Sequence, residues 1–343
     1  MSNDMWIRRF TVLAAMLCLV VVVLGAYVRL SNAGLGCPDW PGCYGHVTPA
    51  AALRNAEQVA RDYPGLNIET GKAWREMIHR YAASTLGLLI VIITALAWQD
   101  RRRRSMAFHF TLLGTVVAQG VLGMLTVTWL LKPLIVTLHL LGGLSTLGLL
   151  LWLMLGELGG GSVTLPPSGS DRMALRMLRR AAAVALAVLA LQIALGGWTS
   201  SNYAAMACPD VPRCQNAWWP PMDLGDAFVL WRGLDINYEG GVLDHPARVA
   251  IHFMHRLGAI LATLVLTATA LLAWRQRRHS ARLTRAAVLV GVLLATQLTI
   301  GISMVRKAFP LDIATLHNAG AALLLVATIY LLHAARYPQG RNP

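Results

Sequence analysis

Charge is scarce in this chain. Of its 343 residues only 13% are Asp, Glu, Lys or Arg, about half the share of a soluble domain. An ordinary soluble enzyme and a disordered chain both need more, so both are excluded. Acids are scarcer than bases, 16 against 30, and the formal net charge is +14, with a pI of about 10.4. Aromatic residues make up only 7%, yet Trp (11) outnumbers Tyr (8) and Phe (6), a bias that suits interfacial anchoring. Strand-like alternation of apolar and polar residues is lacking. What remains is apolar: 56% of residues are hydrophobic and the mean hydropathy is +0.54. The bases fall in short runs between long apolar stretches. That distribution argues against nucleic acid as a partner and for a membrane protein with basic cytoplasmic loops.

Apolar runs at 10–29, 77–98, 106–130, 134–156, 181–200, 247–274, 286–305 and 312–334 are each about long enough to cross a hydrocarbon core as a helix. Eight spans put both termini on one side. The N-terminus, the segments near 99–105, 157–180 and 275–285 and the C-terminal tail hold 17 Lys+Arg and 4 Asp+Glu, a balance of +13. The opposite side holds 13 bases and 12 acids, a balance of +1. The positive-inside rule therefore predicts cytoplasmic termini, with the long loops 30–76 and 201–246 facing outward. Arg8-Arg9 precede a first run too long for a signal peptide and without a small-x-small site after it, so the run reads as a span. No Arg/Ser-rich presequence comes first, which favours a bacterial inner membrane. The stretch Gly159–Ser170 is rich in Gly, Ser and Pro and reads as a flexible cytoplasmic linker. The predicted organisation is an N-terminal domain at 1–158, a linker at 159–180 and a C-terminal domain at 181–343.

The two halves repeat. Gly25, Cys37-Pro38-Asp39, Pro41 and Cys43 are answered, 171 residues on, by Gly196, Cys208-Pro209-Asp210, Pro212 and Cys214. His79-Arg80 is answered by His255-Arg256. Gln119 and His139 are answered by Gln297 and His317, with 20 residues between Gln and His in both copies. Landmarks matched in order mark an internal repeat. Four spans per copy make that repeat parallel. The expected fold is all-α: two pseudo-symmetric four-helix bundles.

Histidine carries the chemistry. His46, His109, His245, His279 and His333 fall in loops or near span ends and read as solvated or interfacial. His79, His139, His255 and His317 occupy matched places in the outer half of spans 2, 4, 6 and 8. An imidazole in lipid faces the bundle interior and finds a partner. Two imidazoles from two helices at one depth suit a haem iron ligated from both faces. Zinc is the rival, but each bundle offers few further ligands at that depth. His252-x-x-His255 lacks a zincin's Glu, so His252 reads as a pocket residue. Gly87, Gly123, Gly142, Gly143, Gly258, Gly301 and Gly320 lie near the histidines in sequence; they suit either close helix packing or a porphyrin edge. Arg80 and Arg256 follow ligand histidines. Arg29, Arg75, Lys132, Arg306 and Lys307 stand at the outer rim, placed for haem propionates or for snorkelling.

One asymmetry suggests catalysis. Glu76 lies three residues before His79, on the same helix face; its counterpart in the second half is His252. A carboxylate beside one haem site only is a candidate proton acceptor or cation stabiliser. The pairs Cys37–Cys43 and Cys208–Cys214 lie in outward loops, an oxidising side where disulfides are expected. They read as staples; a short, exposed disulfide is also more reducible, which leaves electron exchange open for the first pair. Cys18 reads as core.

Taken together, the paired histidines, Glu76-x-x-His79 and the outer cysteine pairs resemble the haem A synthase family, over about residues 10–335. That resemblance implies oxidation of the C8 methyl of haem O to a formyl group through a hydroxymethyl stage, giving haem A for cytochrome oxidase. It implies that His79, His139 and Glu76 serve the substrate haem. His255 and His317 would hold a permanent haem b that passes electrons. The implied partners are the haem O synthase that supplies the substrate, a redox partner, membrane lipid and a second copy of the chain. The residues alone also fit two other readings. One is a di-haem b-type electron carrier linked to a quinol; the other is a haem exporter or assembly chaperone.

Overall fold

The computed structural model describes residues 3–102, 104–158, 169–277 and 280–336. Eight of its helices are long and apolar enough to cross a membrane. These are α1 (Asn3–Leu30), α4 (Thr70–Gln99), α5 (Met106–Thr128), α6 (Pro133–Leu158), α7 (Gly169–Ser201), α9 (His245–Arg275), α10 (Ala281–Arg306) and α11 (Leu311–Arg336). Three short helices sit in the long loops: α2 (Pro49–Arg54), α3 (Ala56–Asp62) and α8 (Leu224–Ala227). Among the described residues there is no strand, only single bridges pairing Cys43 with His46 and Cys214 with Ala217.

Local chemistry sets the ends. Thr48 caps α2, its side chain accepting from the Ala51 N–H, and Pro49 opens the helix. Asp223 caps α8 in the same manner, accepting from Asp226 N, and Ser280 caps α10, accepting from Leu283 N. Short polar caps satisfy N–H groups that have no partner within the helix. Apolar runs find helices wherever they were expected, but several helices run longer than the runs. Helix α7 begins twelve residues before the run at 181, so residues 169–180 of the expected linker are helical. Hydropathy misses that stretch because Arg172, Arg176, Arg179 and Arg180 interrupt it, although arginine is a good helix former. The remainder of the expected linker, 159–168, lies outside the described residues, as do Arg103, Arg278 and His279. Helix α4 begins at Thr70, which places Glu76 and His79 on one continuous helix.

Helix α1 packs on α4 and α6, and α5 packs on α4 and α6; α7 packs on α9 and α11, and α10 packs on α9 and α11. The two sets meet through α1 with α11, α6 with α7, and α6 with α11. Glycine lets two of these contacts close. A methyl on Gly197 would lie 2.9 Å from Leu140, and one on Gly148 would lie 3.0 Å from Ile329. One apolar core runs through both sets and includes Cys18, Ile90, Leu150, Leu178, Leu266 and Leu324. At the basic end Arg104 pairs with Glu157 and, at 2.6 Å, with Asp4, tying α6 to α1. His109 and His333 are not solvated: both are buried. His109 turns inward in the first turn of α5, with Nδ1 3.0 Å from the Ser105 carbonyl. His333 packs edge-on against Trp152, ring centroids 5.0 Å apart.

Candidate haem sites

Each of the four matched histidines lies against a glycine on the preceding long helix. A methyl on Gly25 would lie 2.9 Å from the His79 ring, and one on Gly123 would lie 3.4 Å from the His139 ring. Gly196 and Gly301 stand in the same relation to His255 and His317, at 3.1 Å each. A Cβ at Gly25 would force the ring to move and one at Gly196 or Gly301 would crowd it, while at Gly123 the contact would be an ordinary one. Gly25 and Gly196 belong to the repeat, but their place against imidazoles is not evident from sequence. Gly87 meets nothing within 4 Å. Gly142, Gly258 and Gly320 receive glutamines instead: Gln119, Gln192 and Gln297. The signal was in the sequence as Gln-x-x-x-Gly on one helix and His-x-x-Gly on the next. It recurs three times, and the fourth instance has Val21 and Ala82 at the matched positions.

His79 and His139 face each other with ring centroids 6.5 Å apart and planes at 86°. That gap suits one metal atom ligated from opposite sides. Their Nδ1 atoms are buried without a partner. Among the described residues no three His, Cys, Asp or Glu side chains gather around one point. A metal held here therefore takes two protein ligands and needs its other positions filled by a macrocycle, which fits haem and disfavours structural zinc.

Glu76 is buried. One carboxylate oxygen accepts from the Cys37 N–H at 2.9 Å and the other pairs with Arg80. Arg80 also donates to the carbonyls of Asp39 at 2.9 Å and Gly42 at 2.5 Å. Arg256 does the same work in the second half, donating to Asp210 O at 2.8 Å, Arg213 O at 2.7 Å and Cys208 O at 2.7 Å. Its Nε donates to His252 Nε2 at 3.2 Å. Both arginines thus clamp the cysteine loops. Only the first half adds a carboxylate to the clamp.

The two loops share one fold. The disulfides Cys37–Cys43 and Cys208–Cys214 each span a Cα–Cα distance of 4.7 Å. Both loops hold a cis proline, Pro41 and Pro212. Asp39 accepts from the N–H groups of Tyr44 and Gly45; Asp210 accepts from Gln215 and Asn216. Those four residues all have positive φ, so the carboxylate braces a left-handed turn. Burial pushes the Asp210 carboxyl up, but the Asn216 and Gln215 N–H groups outweigh it and hold it below its ordinary value. All four disulfide cysteines are buried. That corrects the picture of an exposed, easily reduced pair: the clamps fold the loops over their own sulfurs.

The rim bases divide. Arg29 donates to the Ser200 carbonyl at 2.5 Å and stacks over Tyr203 at 4.1 Å. Lys132 is buried, bonded to the Gly233 carbonyl and 3.2 Å from the Trp231 ring centroid. Both are committed to contacts between the halves. Arg75, Arg306 and Lys307 stay exposed. Tyr238 N also donates to Leu130 O at 3.0 Å, so the second outer loop straps onto the α5–α6 turn of the first half.

The sequence profile of the COX15-CtaA family, described as cytochrome oxidase assembly protein, matches residues 8–329. A heme A synthase of Shewanella oneidensis is 43% identical over 326 residues, 94% of each chain. Heme A synthases of Chelativorans sp. and Halalkalibacterium halodurans are 27% and 25% identical, covering 94% and 95% of this chain and 89% and 96% of their own.

Proposed function

The chain belongs to the COX15-CtaA family of cytochrome oxidase assembly proteins, and from that premise we propose that it is a haem A synthase, an oxidoreductase that converts haem O to haem A. The substrate methyl at C8 is taken to a formyl group by way of a hydroxymethyl stage. The architecture is two four-helix bundles, an N-terminal one at 1–158 and a C-terminal one at 181–343, related by a parallel repeat. Support comes from the equivalence of the α1–α11 and α6–α7 contacts, as a two-fold requires. Both termini face the cytoplasm of a bacterial inner membrane.

The carrying observation is that two glycine-seated imidazoles 6.5 Å apart share a half with Glu76, the one buried carboxylate among the described residues, which the repeat does not duplicate. His79 and His139 hold the substrate haem. His255 and His317 hold a haem b, which supplies electron transfer when bound. Glu76 lies one turn before His79, so a substrate on that ring comes beside it. Its carboxylate, when ionised, only accepts. It stabilises positive charge developing at the methyl carbon and takes the released proton. Arg80 and the Cys37 N–H fix its orientation, so no reorganisation is needed as charge develops. Arg75, Arg306 and Lys307 remain to meet propionates.

Haem extracted from the purified protein tests the proposal. Haem O or haem A beside haem B is expected. Haem B alone, with no haem A formed when haem O is supplied, would overturn it in favour of an electron carrier.

A further inference from the structure

One glutamine of the repeated seat, Gln192, separates the two halves. Gln192 Nε2 lies 3.1 Å from His255 Nδ1 and donates to the His255 carbonyl at 3.0 Å. Gln297 Nε2 lies 3.3 Å from His317 Nδ1 and donates to the His317 carbonyl at 3.0 Å. In both residues Oε1 is buried with no donor, an arrangement that costs free energy unless a donor arrives. An imidazole that gives Nε2 to a metal must carry its proton on Nδ1 and seeks an acceptor there. The amide nitrogens stand beside that atom and the oxygens sit in the notches at Gly258 and Gly320; turning the amide end for end brings the oxygen to Nδ1 in exchange for the bond to the backbone carbonyl. The first half keeps one glutamine of the two: Gln119 fills the notch at Gly142 as Gln297 fills the notch at Gly320. Val21 stands where Gln192 does, Ala82 stands where Gly258 does, and the Nδ1 atoms of His79 and His139 have no partner.

We propose that Gln192 and Gln297 are positioning residues, amide acceptors that lock His255 and His317 as ligands, and that the missing glutamine at His79 makes the first site the one that exchanges its haem. This rests on the haem-binding reading above. A hydrogen bond from Nδ1–H fixes the ring and makes it a stronger donor to iron. The locked pair retains its haem and favours the ferric state. In the first pair His79 lacks that lock and can swing away, which a site that must release product requires.

The test follows transfer of haem b from the full-length protein to excess apo-globin, recorded optically. Wild type should lose haem in two phases, and His255→Ala should remove the slow one. Gln192→Leu with Gln297→Leu should speed the slow phase by about 10–100-fold and raise the midpoint potential of that haem. Gln192→Glu with Gln297→Glu keeps the acceptor oxygen and should restore slow loss. Val21→Gln with Ala82→Gly, which copies the second-half seat into the first, should slow the fast phase. An unchanged slow phase and potential in the leucine variant would overturn the inference. Should that variant fail to fold, an unchanged fast phase in the Val21→Gln, Ala82→Gly protein would overturn it alone. A wild-type protein with no bis-imidazole spectrum would instead sink the haem-binding reading, so the two failures are distinguishable.

Discussion

Glu76 serves two ends at once, and substitution can part them. Glu76→Gln preserves shape and keeps one acceptor for the Cys37 N–H, while the charge facing Arg80 is lost. Haem content of both sites should persist while haem A formation falls about 10²–10³-fold, with haem O or its hydroxymethyl form accumulating. Wild-type rates in a haem A assay would reduce Glu76 to a loop clamp. His252→Gln, at the matched place, should be mild. The glycine seats are sharper still. Gly196→Leu drives a side chain into the His255 ring, which a Cβ alone would approach to 3.1 Å. The low-spin spectrum of the second site should vanish with the first left intact, as it should in His255→Ala or His317→Ala. The four histidines stand out in the sequence because the repeat singles them out. Their seats are not legible there, since contact between Gly25 and His79 joins residues 54 positions apart and depends on helix rotation that no periodicity fixes.

Among elements, the cysteine loops are the most autonomous. Each combines a disulfide, a braced left-handed turn and an arginine clamp. Thiol labelling of the folded protein without reductant should modify no loop cysteine, and Cys18, buried in the core, should label only after unfolding. Ready labelling of Cys37 and Cys43 alone would revive a redox-active first pair. The Asp210 carboxyl, held below its ordinary value near 3.8, stabilises the second loop above that pH. The contribution is lost as pH falls through the lowered value. Proteolysis within 209–217 should therefore stay slow down to about pH 4 and rise below it, and Asp210→Asn should be cut faster already at neutral pH. Helix positions were legible here from hydropathy alone. The exceptions have two causes: α7 starts in an arginine-rich stretch, and α2, α3 and α8 are too short for any apolar period to announce.

At the scale of the whole molecule, the charge split predicts the orientation. A periplasmic reporter fused after residue 60 or 225 should be active, and one fused after residue 100 or 276 inactive; the reverse would invert the protein in its membrane. The contacts between halves, by contrast, were invisible to sequence, because Arg29 and Lys132 looked like rim charges and prove to be bolts. Arg29 donates to the carbonyl of Ser200, and the two stand 171 residues apart, the very offset of the repeat. A residue thus meets its own counterpart, the contact expected beside the axis of the proposed two-fold. If the chain descends from a half-length ancestor that paired with itself, an arginine at this place would have faced an arginine. Fusing the copies released them from having to be identical. One could keep the guanidinium while the other gave it a carbonyl to hold, and a homodimer built from the first half alone would bring that repulsion back.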